Sequence, residues 1–215
     1  MDTHLTDLGR NQAKLLNEYF INTKETFDKV YSSDLTRAYE TCQICCGGRH
    51  EITTNKLLRE RSFGVLQGSP LQVLRVEAYK AGYNEHNFTQ YRPEGGETME
   101  EVSNRIKTFC QEELIPNISD SASVLIVTHG GVIREFMKFF RVLGCKIENK
   151  DFVITPSTGI SRFKIEVDKE NHIKSVCAIV LHSIPHLSLS ARSEALTEEQ
   201  LNDSNSKGEK VEYAV

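Results

Sequence analysis

The sequence predicts an α/β fold, a three-layer α/β/α sandwich built on a mostly parallel sheet, and three observations predict it. The segment SVLIV at 123–127 is a continuous run of branched apolar residues without alternation, which fits a strand covered on both faces between helical layers. Two glycines later, Val132, Ile133, Phe136, Met137 and Phe140 recur at helical spacing. A shorter apolar stretch at Val30 and Tyr31 runs through Ser32 and Ser33 into a second helical pattern, with Leu35, Ala38, Cys42 and Cys45 on one side. The same strand, turn and helix order thus occurs twice.

The remaining elements follow in order. Gly9, Ala13, Leu16 and Phe20 form one helical stripe and Leu8, Leu15 and Tyr19 an adjacent one, with Thr6 as N-cap. Gly47 and Gly48 end the second helix. Residues 52–54 predict a short strand, and LLRERSFGVLQG a charged, glycine-punctuated loop. Ser69 is expected to cap a third helix with Pro70 at its first position, Gln72 completing a capping box and Gly82 closing it. Residues 82–96 have no period and predict a long loop. Thr98 and Glu101 form a second capping box ahead of Met99, Val102, Ile106 and Phe109, a helix running to about Leu114. Phe163, Ile165 and Val167 alternate as a strand does, and a turn at 169–171 leads into another strand from about Ile173 to Leu181. One domain is expected over 1–187, with a polar, disordered tail over 188–215.

Composition excludes several classes. A net charge of -4 argues against nonspecific nucleic-acid binding, which needs a cationic face, so an anionic ligand must be met by a local cluster of positive groups. No stretch approaches the ~20 apolar residues of a membrane span. The chain reads as a soluble, cytoplasmic protein without a secretory signal, and its six cysteines as reduced thiols rather than a disulfide framework. Cys42 and Cys45 have metal-like spacing, with His182 and His186 as conceivable zinc partners. The same two cysteines also stand at i and i+3 of a buried helix face, where cysteine acts as a small hydrophobe, and that reading is preferred.

Three residues carry candidate chemistry. His129 stands where the buried strand ends and a helix begins, at the sheet edge where parallel α/β folds bind ligands. Gly130 and Gly131 let the backbone approach a ligand, and the opening amides of the helix point toward an anion. Arg37 lies in the first turn of the other post-strand helix, at the same edge, with a planar fork suited to phosphate. Glu60 sits between Arg59 and Arg61; beside a bound phosphate such a carboxylate takes up a proton and can donate it to a departing alkoxide.

In sequence order, these segments resemble the histidine phosphatase (phosphoglycerate mutase-like) superfamily. LTDLGRNQA resembles its first helix, SSDLTRAYET the segment with a phosphate-clamping arginine, and LRERSFGVLQG the segment with an acid/base glutamate. RPEGGET resembles its Gly-Gly-Glu loop and VTHGG the strand end with the second catalytic histidine, while TPSTGISRF is similar to the fructose-2,6-bisphosphatase branch. The resemblance implies phosphoryl transfer through a phosphohistidine, without metal or other cofactor, on a small-molecule phosphate ester. Carried over by residue, Arg37 is the clamp, Glu60 the acid/base and His129 the electrostatic stabiliser; Gly130 offers an amide to the phosphate and Arg61 lies on the rim.

The match departs from the family at one place. The family opens with a strand ending in Arg-His-Gly, whose histidine is the nucleophile, about 20 residues before the first helix, and here that helix begins at Thr6. His4 follows Thr3 with no strand before it, and Arg49-His50 is trailed by Glu51 where the family has glycine. The expectation is a sandwich without its first strand, on an N-terminally incomplete chain. Its function is then hydrolysis of a sugar bisphosphate such as fructose 2,6-bisphosphate, bearing on glycolysis, with impaired turnover in this chain. The alternatives are a noncatalytic phosphate-ester binder and, less favoured because of TPSTGISRF, a phosphoglycerate mutase.

Overall fold

The computed structural model of the chain describes residues 2–117, 119 and 121–188, so the expected 188–215 tail lies, but for Ser188, outside the described residues. The elements run α1 (Asp7–Asn22), β1 (Lys29–Ser33), α2 (Thr36–Cys46), β2 (Ile52–Asn55), α3 (Leu71–Lys80), α4 (Met99–Thr108), β3 (Val124–Val127), α5 (Gly130–Val142), β4 (Ile160–Val167) and β5 (Ile173–Ser183). Short 3₁₀ turns fill several connections, and α4 widens into a π-helical turn over Phe109–Leu114, where the sequence predicts the helix to stop, and continues through a 3₁₀ turn over Ile115–Asn117.

β1 is the middle strand of a parallel sheet ordered β2-β1-β3, with Val30 opposite both Ile52 and Leu125. Side chains of successive strand residues point to opposite faces. Tyr31 accordingly packs with Val102, Ile106 and Phe109 of the α4 run and with Val132, Phe136 and Met137 of α5. Val30 packs with Leu16 and Phe20 of α1 and with Cys42, Cys45 and Cys46 of α2. These two helical layers around the sheet are the three-layer sandwich that the apolar runs predict. Cys42 and Cys45 behave as core hydrophobes, while the rings of His182 and His186 are bonded to Thr155 (2.9 Å) and Thr158 (2.8 Å).

The sheet is divided, which the sequence does not reveal. β4 and β5 form a separate antiparallel hairpin, with Ile165 opposite Val176. Among the described residues, β3 has a strand partner on its β1 side and β4 on its β5 side. The start of α3 also differs from expectation. Pro70 is itself the N-cap, in an extended conformation (φ -55°, ψ 148°), and Ser69 and Gln72 make no capping box. Proline's fixed φ suits a position just outside a helix as well as its first residue, and the carbonyl of Pro70 accepts from the Val73 amide (2.9 Å) to open the helix one residue later. By contrast, Thr98 and Glu101 form the predicted box in full.

Candidate active site

The carboxyl ends of β1 and β3 lie side by side, and each hands the chain to a helix carrying one candidate residue. Arg37 is in the first turn of α2, whose N-cap Leu35 has no side-chain acceptor. Asp2 supplies one instead: its carboxylate accepts from the Thr36 amide (2.8 Å) and hydroxyl (2.7 Å), and these bonds hold the carboxyl below the usual range. No hydrogen bond of the Arg37 guanidinium occurs among the described residues, and this side chain lines the central cavity.

His129 is the N-cap of α5, in extended conformation, with only 8% of its surface exposed. Its Nε2 lies 2.9 Å from Ser33 Oγ, at the end of β1. Burial pushes its pKa down to about 3, and the positive charges of Arg37 and Arg105 push the same way. In the free protein the ring is therefore neutral at physiological pH, with the positive charges of Arg37 and Arg105 outweighing the carboxylates of Asp2 and Asp34. A phosphoryl dianion placed there offsets those charges and favours the imidazolium.

Glu60 is held against the start of α5. Its carboxylate accepts from the Gly131 amide (3.1 Å) and from the amide of Arg61 (2.8 Å). Gly131 is required for this approach, because a Cβ there would stand 2.5 Å from Glu60 Oε1. Gly131→Ala is expected to displace the carboxylate, lowering any turnover that depends on it about 10-fold or more while changing the melting temperature by only a few degrees. Thermal melts alongside phosphate-release assays check both arms; unchanged turnover would remove Glu60 from the reaction.

The loop that carries Glu60 is braced from two sides. The carboxylate of Glu97 accepts from the Ser62 amide (2.8 Å) and from Arg105 Nε (3.0 Å), and Arg105 donates onward to the carbonyl of Leu57 (2.5 Å). Gly64, at φ +52°, packs so tightly that a Cβ would fall 1.9 Å from the Glu94 carbonyl oxygen. Arg59 forks onto Asp34 with two 2.7 Å bonds, tying this loop to the segment carrying Arg37. Thr128 donates to the carbonyl of Leu58 (2.7 Å), tying it to the end of β3.

Arg37, Glu60, Arg61, His129 and Gly130 all line one cavity of about 1580 Å³, which also reaches between β3 and β4. Arg61 lines it in a different capacity from the rim role expected of it. It is 5% exposed and donates to the carbonyls of Glu97 (2.8 Å) and Tyr91 (2.6 Å), bracing the loop.

The family model of the histidine phosphatase superfamily (branch 1) matches residues 1–177. The chain belongs to this superfamily. Phosphoglycerate mutase-like protein 4 of Arabidopsis thaliana is 37% identical over 167 residues, covering 75% of this chain and 70% of that protein. Fructose-2,6-bisphosphatase TIGAR B of Danio rerio is 30% identical, covering 80% of each. Among solved structures, Bacillus stearothermophilus YhfR superposes with a TM-score of 0.66 at 26% identity, covering 87% of this chain and 88% of that one. As a histidine phosphatase, the chain has a phosphatase framework with a basic, partly buried pocket at the carboxyl edge of its parallel sheet.

Ser33, which meets the His129 ring, and Glu97 and Arg105, which brace the Glu60 loop, are not legible in the sequence as neighbours of the candidate residues. Ser33 was visible only as a turn residue and Arg105 as one charge on a helix. Glu97 lies in RPEGGET, but nothing local says that its carboxylate reaches Ser62 and Arg105.

Proposed function

We propose that the chain is a cytoplasmic member of this family that binds a sugar bisphosphate, with fructose 2,6-bisphosphate the preferred ligand, and that its reaction is removal of the 2-phosphate to give fructose 6-phosphate, bearing on glycolysis. The observation that carries this reading is the convergence of Arg37, Glu60 and His129 on one cavity, with the Arg37 guanidinium uncommitted and the His129 ring neutral. Arg37 clamps the phosphoryl oxygens. His129 becomes protonated as the dianion enters, and Glu60 passes a proton to the leaving oxygen.

Among the described residues the histidines lining the cavity are His4 and His129, and the exposed His4 has its Nδ1 2.6 Å from Glu40. A phosphohistidine route needs a second, free imidazole in the pocket, whereas phosphate-ester binding needs only the cations already there. That observation favours a noncatalytic phosphate-ester binder as the second reading. Isothermal titration with fructose 2,6-bisphosphate tests what the two share: Arg37→Ala is expected to weaken binding about 10- to 100-fold. No measurable binding by the unsubstituted chain sinks both.

A further inference from the structure

Strand register brings one hydroxyl under the start of α5. Side chains two apart in a strand share a face, so Ser33, the last residue of β1, points to the side on which Tyr31 packs with α5. Ser33 is fully buried there, and its Oγ meets the Nε2 of His129 at 2.9 Å. The same Oγ accepts from the Leu35 amide (3.3 Å), in the turn that leads into α2.

The hydrogens of this pair can be counted. A serine hydroxyl has one hydrogen to give and two lone pairs to receive with, and the Leu35 amide uses one lone pair. Among the described residues, the other partner of Oγ is His129 Nε2. If Nε2 carried the ring proton, Oγ would accept twice and its own hydrogen would be left in the core without an acceptor, which is costly. The hydroxyl therefore donates to a bare Nε2, and the single proton of the neutral ring sits on Nδ1. Nδ1 makes no hydrogen bond among the described residues, and the ring lines the cavity with Arg37 and Glu60. The opposite tautomer would turn a lone pair toward the phosphoryl oxygens and repel them.

We propose that Ser33 is a positioning residue: it holds the neutral His129 ring as the Nδ1–H tautomer, so that an N–H donor faces the cavity before an ester arrives. A donor fixed in advance needs no reorganisation when negative charge enters. This rests on the function proposed above and names what sets one part of that site. Ser33 is not part of the cavity wall and acts through the ring.

Nitrogen–proton correlation spectra of the histidine rings in the free chain, near neutral pH, read the tautomer directly, and loss of a signal in His129→Gln identifies the ring. His129 is expected as a single Nδ1–H form. An Nε2–H form, or a mixture, in the unsubstituted chain overturns the proposal before Ser33 is changed. Ser33→Ala leaves Nε2 without a partner, so the ring should divide between the two tautomers and phenyl phosphate should bind about 5-fold more weakly. Weaker binding with the ring still wholly Nδ1–H would make Ser33 merely structural and overturn its part, as would a redistributed tautomer with unchanged binding. Binding of no ester by the unsubstituted chain overturns the function proposed above; the spectra of the free chain still decide the tautomer, which keeps the two failures apart.

Discussion

Placing a β-strand that ends in Arg-His-Gly ahead of this chain is expected to raise phosphate release from fructose 2,6-bisphosphate by about 10³-fold or more, the scale on which losing a nucleophile costs an enzyme. The physical case comes from the sheet. β3 is paired through 124–127 with β1, and its other edge faces the cavity; β4 is paired with β5, and Ile160, Phe163 and Ile165 line that cavity from the far side. Gln12, only 2% exposed, also lines it and keeps Nε2 without a partner. A strand between β3 and β4 offers ladder partners to both edges and a carbonyl to Gln12, and its carboxyl end arrives beside His129. Its side chains must be apolar on both faces, since α1 covers one side and α5 the other.

The control is the same extension ending in Arg-Ala-Gly. It should reproduce the rise in melting temperature that closing the sheet brings, without the gain in turnover. If the histidine and alanine extensions release phosphate equally, the pocket is not a phosphohistidine site, whatever the stability gain. Adding Glu60→Gln to the histidine extension should remove about 10²-fold or more of the gain, because the leaving alkoxide then departs unprotonated.

How much of this was legible beforehand depends on how far each interaction reaches along the chain. The strand–glycine–helix passage around His129 is contiguous, and its apolar spacing alone places the histidine at a sheet edge. The Thr98–Glu101 box is equally local and formed as read. Ser69 and Pro70 failed for a local reason of another kind: proline satisfies two neighbouring helix positions, and the sequence does not choose between them. Ser33 against His129, and Arg105 between Glu97 and Leu57, join segments far apart in the chain, so no spacing rule exposes them. The division of the sheet is also non-local, since each strand carries its own pattern correctly and only the pairing is unusual.

The burial of His129 makes a separate claim on stability. Its folded pKa of about 3 lies well below the unfolded value of 6.5, so the unfolded chain takes up a proton on acidification before the native state does. The sign is therefore fixed: no penalty above pH 6.5, and a progressive loss of native stability as pH falls from there toward 3, amounting to about 3 kcal/mol by pH 4 for this one group. His186, lowered to about 4 by burial, acts in the same direction over a narrower range. The carboxylates of Asp2 and Asp34, held low by Thr36 and Arg59, also lose stabilisation in acid, but at lower pH and equally in a His129 variant. Denaturant unfolding of the chain and of His129→Gln at pH 7 and pH 4 isolates the term by difference. The variant should lose about 3 kcal/mol less between the two pH values, and parallel losses would mean that the ring is already protonated in the native pocket. The same neutrality predicts that binding phenyl phosphate at pH 8, where a monoester with a second pKa of about 6 is already the dianion, draws a proton from the buffer, seen as a binding enthalpy that changes with buffer ionisation enthalpy and is lost in His129→Gln. The dianion supplies the charge that lets His129 ionise among Arg37 and Arg105, which is the change of state a stabiliser of phosphoryl transfer has to undergo.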